Sequence, residues 1–290
     1  MKIAIIWWWD KASWIFDNWR DGHRTAIEEL AKKHHVGWYL DKTMPDPGEC
    51  DFLLFWSSSN EDYFDLLYKY KEPKGLCLTT NPQNVENLRK MNIVFVESTP
   101  IYEECRALGL PVIKAFGTDT DFFSPGEVGS DITKSNYHHT AWSIKKIKYF
   151  YPATFSPWKR QSDIAHLGKD LLCIGTVQPD GQKELEACKK NNVKIMEGYF
   201  PANDIKGWYR RAENVIIPAI HGSERTVLEA MSMNILPEIL HPDINKKANS
   251  YLIEYAGSGE KTPRDFTLKR YSHKIFAKQL LKGIKQCLKK

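Results

Sequence analysis

Short apolar runs alternate with longer charged segments of helical period, and this rhythm constrains the fold more than any other feature of the chain. "KIAIIWW" reads as a buried strand, "RTAIEELAKKHH" as an amphipathic helix and "VGWYL" as the next strand. "CDFLLFW", "KGLCLTT", "NIVFVES" and "LPVIKAF" continue as strands, with "NEDYFDLLYKY" and "PIYEECRALG" as helices between them. Strands joined through helices pair in parallel and bury both faces of their sheet. Ligands of such sheets lie outside the carboxyl ends of the strands.

The stretch "GTDTDFFSPGEVGSDITKSNYHHTAW" interrupts the rhythm and reads as the crossing into a second domain. The pattern then restarts. "IKYFYPATF", "LLCIGTV", "VKIMEGYF", "NVIIPA" and "ILPEIL" are strands; "KRQSDIAHLGKD", "QKELEACKKNN", "ANDIKGWYRRA" and "RTVLEAMSMN" are helices. The expected fold class is therefore α/β, with two Rossmann-like parallel-sheet lobes and a ligand cleft between them. Residues 1–146 form the first lobe, 147–268 the second, and 269–290 a terminal helix that packs back on the first. In that last segment Phe276, Leu280, Ile284 and Leu288 recur at helical spacing, with no acidic residue from Leu268 onward. A packed stripe with solvated lysines is the preferred reading, and an amphipathic contact with an anionic membrane surface is the other.

Bulk properties narrow the partners. The net charge is +5 and the basic residues form no stripe, so nucleic acid is not an expected partner. None of the six cysteines falls in a C-x-x-C pair, and no Cys/His cluster has zinc spacing, so buried free thiols and no metal are expected. No signal peptide or membrane-length apolar run is visible. The expected location is the cytoplasm, with peripheral contact at the inner face of the membrane as an addition.

The segment "HGSERTVLEAM" carries the chemistry. It follows the strand "NVIIPA" and opens a helix near Arg225 or Thr226. Gly222 permits close backbone approach to a ligand, and Ser223 is placed to cap the helix. Free N–H groups and the helix dipole there suit a diphosphate, with Thr226 adding a hydroxyl. Glu229 lies about one turn in, on the face of Arg225. Alone, Glu229 would be a solvated carboxylate and Lys159, in "PWKR", a surface cation.

Together, "HGSERTVLEAMSMNILPEIL" resembles the donor-site segment of retaining, nucleotide-sugar-dependent glycosyltransferases of the GT-B fold, the group 1 or family 4-like type. "AFGTDTDFFSPGE", "ATFSPWKRQSDIA" and "VKIMEGYFPANDIKGWYRRAENVIIPA" resemble further family segments, in family order. The likeness covers the second half of the chain by motif and the first half by architecture. It implies that Lys159 contacts the donor diphosphate, that Glu229 binds the ribose hydroxyls, and that Gly198, Tyr199 and Phe200 border the nucleobase. Three positions depart from the pattern, one of them conservatively: Asn234 stands at the helix end where the family usually has glycine, and asparagine also tolerates a left-handed cap. Thr154 stands where the family has an arginine, leaving Arg160 or Arg225 to supply the charge. His221 stands where the family has the first of two glutamates; it either changes donor preference or abolishes transfer, with Glu224 as a substitute carboxylate.

The resemblance implies a metal-independent retaining hexosyltransferase-like enzyme using a UDP- or GDP-linked sugar as co-substrate and no other cofactor. Its acceptor, a sugar, a lipid-linked molecule or another small compound, would bind the first lobe. There Trp9, Asp10, Trp14, Trp19 and His23 are the candidates, while Trp7 and Trp8 belong to the core. A non-catalytic nucleotide- or sugar-binding protein is the alternative, and a nucleic-acid glucosyltransferase a third.

Overall fold

The computed structural model describes residues 1–7, 20–57, 69–126 and 146–289. They divide into two compact units, Met1–Asp119 with Lys269–Lys290, and Thr120–Leu268.

Unit 1 contains β1 (Lys2–Trp7), α1 (Gly22–Ala31), β2 (His35–Leu40), β3 (Phe52–Ser57), β4 (Lys74–Leu78), α2 (Val85–Arg89), β5 (Ile93–Val96), α3 (Thr99–Ala107) and β6 (Val112–Lys114). Its sheet has the order β2-β1-β3-β4-β5-β6, and every pairing is parallel. Continuous apolar strands such as Phe52–Trp56 are buried on both faces, as a sheet covered by helices requires. Trp7 is a core residue, stacked on Trp56 with ring centroids 5.8 Å apart. The helix expected from "NEDYFDLLYKY" falls almost entirely outside the described residues. Asp21 caps α1 by accepting from the Arg24 amide at 2.8 Å. Asp21→Ala is expected to lower stability by about 1 kcal/mol, measured by urea unfolding.

Unit 2 contains β7 (Ile147–Pro152), α4 (Gln161–Ile164), a 3₁₀ turn (Ala165–Asp170), β8 (Leu171–Gly175), α5 (Gln182–Lys190), β9 (Lys194–Glu197), α6 (Ala202–Tyr209), β10 (Ala212–Ile217), α7 (Glu224–Ser232), β11 (Glu238–Ile239), α8 (Lys246–Ala256) and α9 (Pro263–Arg270). Its sheet has the order β11-β10-β7-β8-β9, again parallel. The single helix expected from "KRQSDIAHLGKD" is instead a turn of α-helix followed by a 3₁₀ segment that is itself kinked at Gly168, φ +56°. Periodicity alone did not reveal α2, α8 and α9; α2 is five residues long and α9 carries a weak apolar stripe.

The first part of the expected interdomain crossing is packed rather than open. Thr118, Asp119 and Thr120 are buried. Asp119 accepts from Arg20 Nε and Nη2, each at 3.1 Å, and lies 3.6 Å from His273 Nδ1. The units accordingly divide at Asp119–Thr120, ahead of residue 146. The last helix, α10 (His273–Leu288), belongs to unit 1 and lies against α1 and β5. Phe276, Leu280 and Ile284 are buried there, while Leu288 stays 40% exposed. All six cysteines are free and buried. Among the described residues no helix is long and apolar enough to cross a membrane.

Candidate functional site

The order of the second sheet selects one place for a ligand. β7 lies between β8 and β10, so the chain leaves it toward β8 and β9 on one side and later returns to form β10 and β11 on the other. Loops diverging from neighbouring strands at such a switch point leave a crevice at their carboxyl ends. The loop after β7 carries Lys159, and the loop after β10 carries His221, Gly222 and Ser223.

Hydrogen bonds hold the two loops together. The Ile220 amide donates to Trp158 O at 2.9 Å. Lys159 Nζ donates to Ser223 Oγ at 3.0 Å and to His221 O at 3.3 Å. Tyr151, buried on β7, donates its hydroxyl to Lys159 O at 3.3 Å. Asn245, the N-cap of α8, donates to Ala219 O at 3.0 Å and Gly222 O at 2.9 Å, bracing the turn from another side.

Gly222 and Ser223 both have left-handed backbones, at φ +74° and +77°. A Cβ on Gly222 would lie 2.8 Å from Lys159 Nζ, so glycine here serves both the conformation and the ammonium's approach. Ser223 occupies the N-cap position of α7, but its side chain makes no capping bond. This corrects the expected capping role: the left-handed backbone takes Ser223 out of the extended conformation of an ordinary N-cap, and its Oγ accepts from Lys159 instead. A left-handed serine costs on the order of 1 kcal/mol, a strain that recurs where loops meet ligands. Helix α7 begins at Glu224, just before the expected start. The turn and the nine-residue helix after it form a concavity of backbone N–H groups suited to an anion.

Charge is concentrated around this turn. Burial lowers the Lys159 ammonium from the ordinary 10.5 to about 8; the Glu224 carboxylate opposes the shift and the Arg225 guanidinium adds to it. Burial also lowers the His221 imidazole, with Lys247 and Lys159 adding to the effect and Glu224 opposing it. Glu224, Thr226 and Glu229 are buried on α7. Glu229 Oε2 accepts from the Tyr209 hydroxyl at 3.1 Å, and its Oε1 lies 3.4 Å from Arg225 Nε. Burial and the neighbouring carboxylate push the Tyr209 hydroxyl well above its ordinary value, keeping it a donor. Among the described residues no three His, Cys, Asp or Glu side chains gather closely enough to hold a metal ion.

Other candidates are placed differently. Arg160 is turned into a two-pronged pair with Asp163, at 2.9 and 3.1 Å, and Asp163 also meets His241 Nε2 at 2.7 Å. Its guanidinium is thus committed away from the turn. Thr154 shares a hydroxyl hydrogen bond with Thr176 at 3.2 Å. Gly198 and the half-exposed Tyr199 follow β9, but Phe200 is core, edge-on to Trp208 at 5.1 Å. Phe200 is therefore not available to line a pocket. In unit 1, the His23 side chain is 12% exposed and lies 3.6 Å from Glu97. It is boxed by Trp56, Phe116 and Phe276, a packed setting rather than an open acceptor wall. Trp8, Trp9, Asp10, Trp14 and Trp19 lie outside the described residues.

Three residues at the site escaped the sequence reading: Tyr209, Asn245 and Lys247. Only Asn245 left a signal, an N-cap residue before the helix in "NKKANSYLIEYA".

Two parallel α/β sheets of Rossmann type, the second with its switch point between β7 and β10, define the GT-B fold. No protein-family model matches the chain, and no curated protein matches its sequence. Solved structures do. A sucrose-phosphate synthase from Thermosynechococcus elongatus aligns with a TM-score of 0.67 at 14% identity, covering 99% of this chain and 98% of that one. The trehalose-6-phosphate synthase OtsA aligns with a TM-score of 0.67 at 8% identity, covering 99% of each chain. An α-glucosyltransferase solved with UDP and a 13-mer DNA containing an HMU base aligns with a TM-score of 0.60 at 12% identity, covering 98% and 99%. At such identities the likeness establishes the architecture.

Proposed function

We propose that the protein is a metal-independent retaining glycosyltransferase, moving a sugar from a UDP- or GDP-linked donor to a small acceptor bound by the first lobe. One observation carries the reading: at the switch point of the second sheet, Lys159, the left-handed turn Gly222–Ser223 and the buried Glu229 stand together around the start of α7. In this reading Lys159 and the helix start neutralise the charge that develops on the leaving diphosphate. Glu229, oriented by Tyr209, accepts hydrogen bonds from the ribose. Arg225 positions Glu229 and adds positive potential. His221 and the Glu224 carboxylate face the donor sugar, and Gly198 and Tyr199 border the base. Trp9, Asp10, Trp14 and Trp19 would contribute to the acceptor side. The fold shared with sucrose-phosphate and trehalose-6-phosphate synthases supports the assignment.

Calorimetry with UDP and GDP, followed by a donor-hydrolysis assay, tests it. Micromolar binding of one nucleotide with slow release of sugar from the matching donor is the expected result. His221 and Thr154, each standing where the resemblance implies another residue, favour a second reading, a binding module that kept the fold. Tight nucleotide binding with no sugar release or transfer would select that reading, and failure to bind either nucleotide would overturn both.

A further inference from the structure

The charges around the Gly222 turn do not balance. Arg225 stands against Glu229, and Lys159 lies close enough to Glu224 for the carboxylate to support its charge. Lys247, the second residue of α8, is left over. It is only 8% exposed, and no hydrogen-bond acceptor among the described residues reaches its ammonium. A buried cation without a partner costs several kcal/mol in principle, and a bound anion would offset that cost.

The location of that anion follows from the helix that holds Lys247. Asn245 ties the start of α8 to Gly222 O and Ala219 O, so Lys247 projects from the first turn of a helix braced against the anion-seeking loop. Its charge is felt at the His221 ring, on the same turn that Lys159 reaches through His221 O and Ser223 Oγ. Thr154 is neutral, and the two residues expected to make up for it are each paired with a carboxylate, Arg160 with Asp163 and Arg225 with Glu229.

We infer that Lys247 is the second phosphate-binding cation of this site, engaging the donor diphosphate together with Lys159 and the start of α7. The identity of the ligand rests on the donor-site reading above. Lys247 comes from a part of the chain where no motif points to it, and it takes over the charge that Thr154 lacks. An ammonium buried without an acceptor among the described residues is thereby matched to a charged donor.

The test compares wild type, Lys247→Met and Lys247→Arg by thermal unfolding and by calorimetry with UDP, GDP, their parent nucleosides and inorganic pyrophosphate. Methionine fills a similar volume without charge. Lys247→Met is expected to unfold no earlier than wild type, to lose about ten-fold or more in affinity for the bound nucleoside diphosphate, and to keep its nucleoside affinity. Lys247→Arg should recover part of the loss. Unchanged diphosphate affinity in Lys247→Met would overturn the inference while leaving the donor-site reading intact. An equal loss for nucleoside and diphosphate would also overturn it, because the effect would then be structural. Pyrophosphate binding that depends on Lys247, in a wild type that binds neither nucleotide, would uphold the anion site and sink the nucleotide reading. Wild type that binds neither pyrophosphate nor nucleotide would sink both.

Discussion

Lys159→Met is expected to weaken nucleoside diphosphate binding by about thirty-fold, roughly 2 kcal/mol, and to erase a pH dependence that the wild type shows above neutrality. The ammonium donates to Ser223 Oγ and His221 O, so it is held at the mouth of the α7 turn rather than swinging in solvent. Its pKa of about 8 leaves it mostly charged at pH 7, ready to meet phosphate. A bound diphosphate stabilises the charged form and raises that pKa. Above pH 8, therefore, binding must take up a proton, and affinity falls as pH rises, by up to about ten-fold per unit. Stability responds with the opposite sign. The folded value lies below the unfolded one, so the unfolded chain holds more protons between about 8 and 10.5. The cost of burying the charge is fully present below pH 8 and is relieved as pH climbs through that window. Wild-type affinity that is flat from pH 7 to 9.5, or a Lys159→Met variant that keeps the slope, would remove Lys159 from the phosphate site.

Glu229→Ala should lower nucleotide affinity by more than about ten-fold, the loss of hydrogen bonds to a buried charged group. The ribose makes the experiment specific. Wild type should bind UDP or GDP better than the 2′-deoxy nucleotide, and Glu229→Ala should bind both equally. The substitution also strands the Tyr209 hydroxyl, fully buried behind Glu229, and takes the counter-charge from Arg225. A stability loss of about 2 kcal/mol is expected from that alone. Tyr209→Phe separates the two effects, because it removes the buried donor and leaves the carboxylate for the ribose. Unchanged discrimination between ribose and deoxyribose in a folded Glu229→Ala protein would refute the assignment.

These two residues were legible because their signals are local. Glu229 sits in a helix whose apolar period and start are written in "HGSERTVLEAM", and Lys159 follows a strand by a fixed short loop. The same locality misled at Ser223. A serine before a helix reads as a cap, yet here its backbone is left-handed and its hydroxyl accepts from Lys159, on another loop. Arg160 and Phe200 have partners that the sequence did not reveal. Each has the right residue type in the right loop, but Asp163 holds the one and Trp208 the other. The tryptophans after β1 had their place after the first strand and strand alternation as signals, and neither names a partner.

Alternating apolar runs and amphipathic segments determined the two parallel sheets, since strand burial and helix crossovers follow from the order of residues along the chain. Glycine and the positions after strand ends determined where a ligand could approach. Which cations remain available there was decided only by tertiary structure. A charge buried near an anion and the same charge buried alone differ by several kcal/mol, and the partner that makes the difference is brought in by folding. Arg160 and Lys247 are both ordinary basic residues in the sequence; the packed second unit gives one of them Asp163 and leaves the other without an acceptor among the described residues.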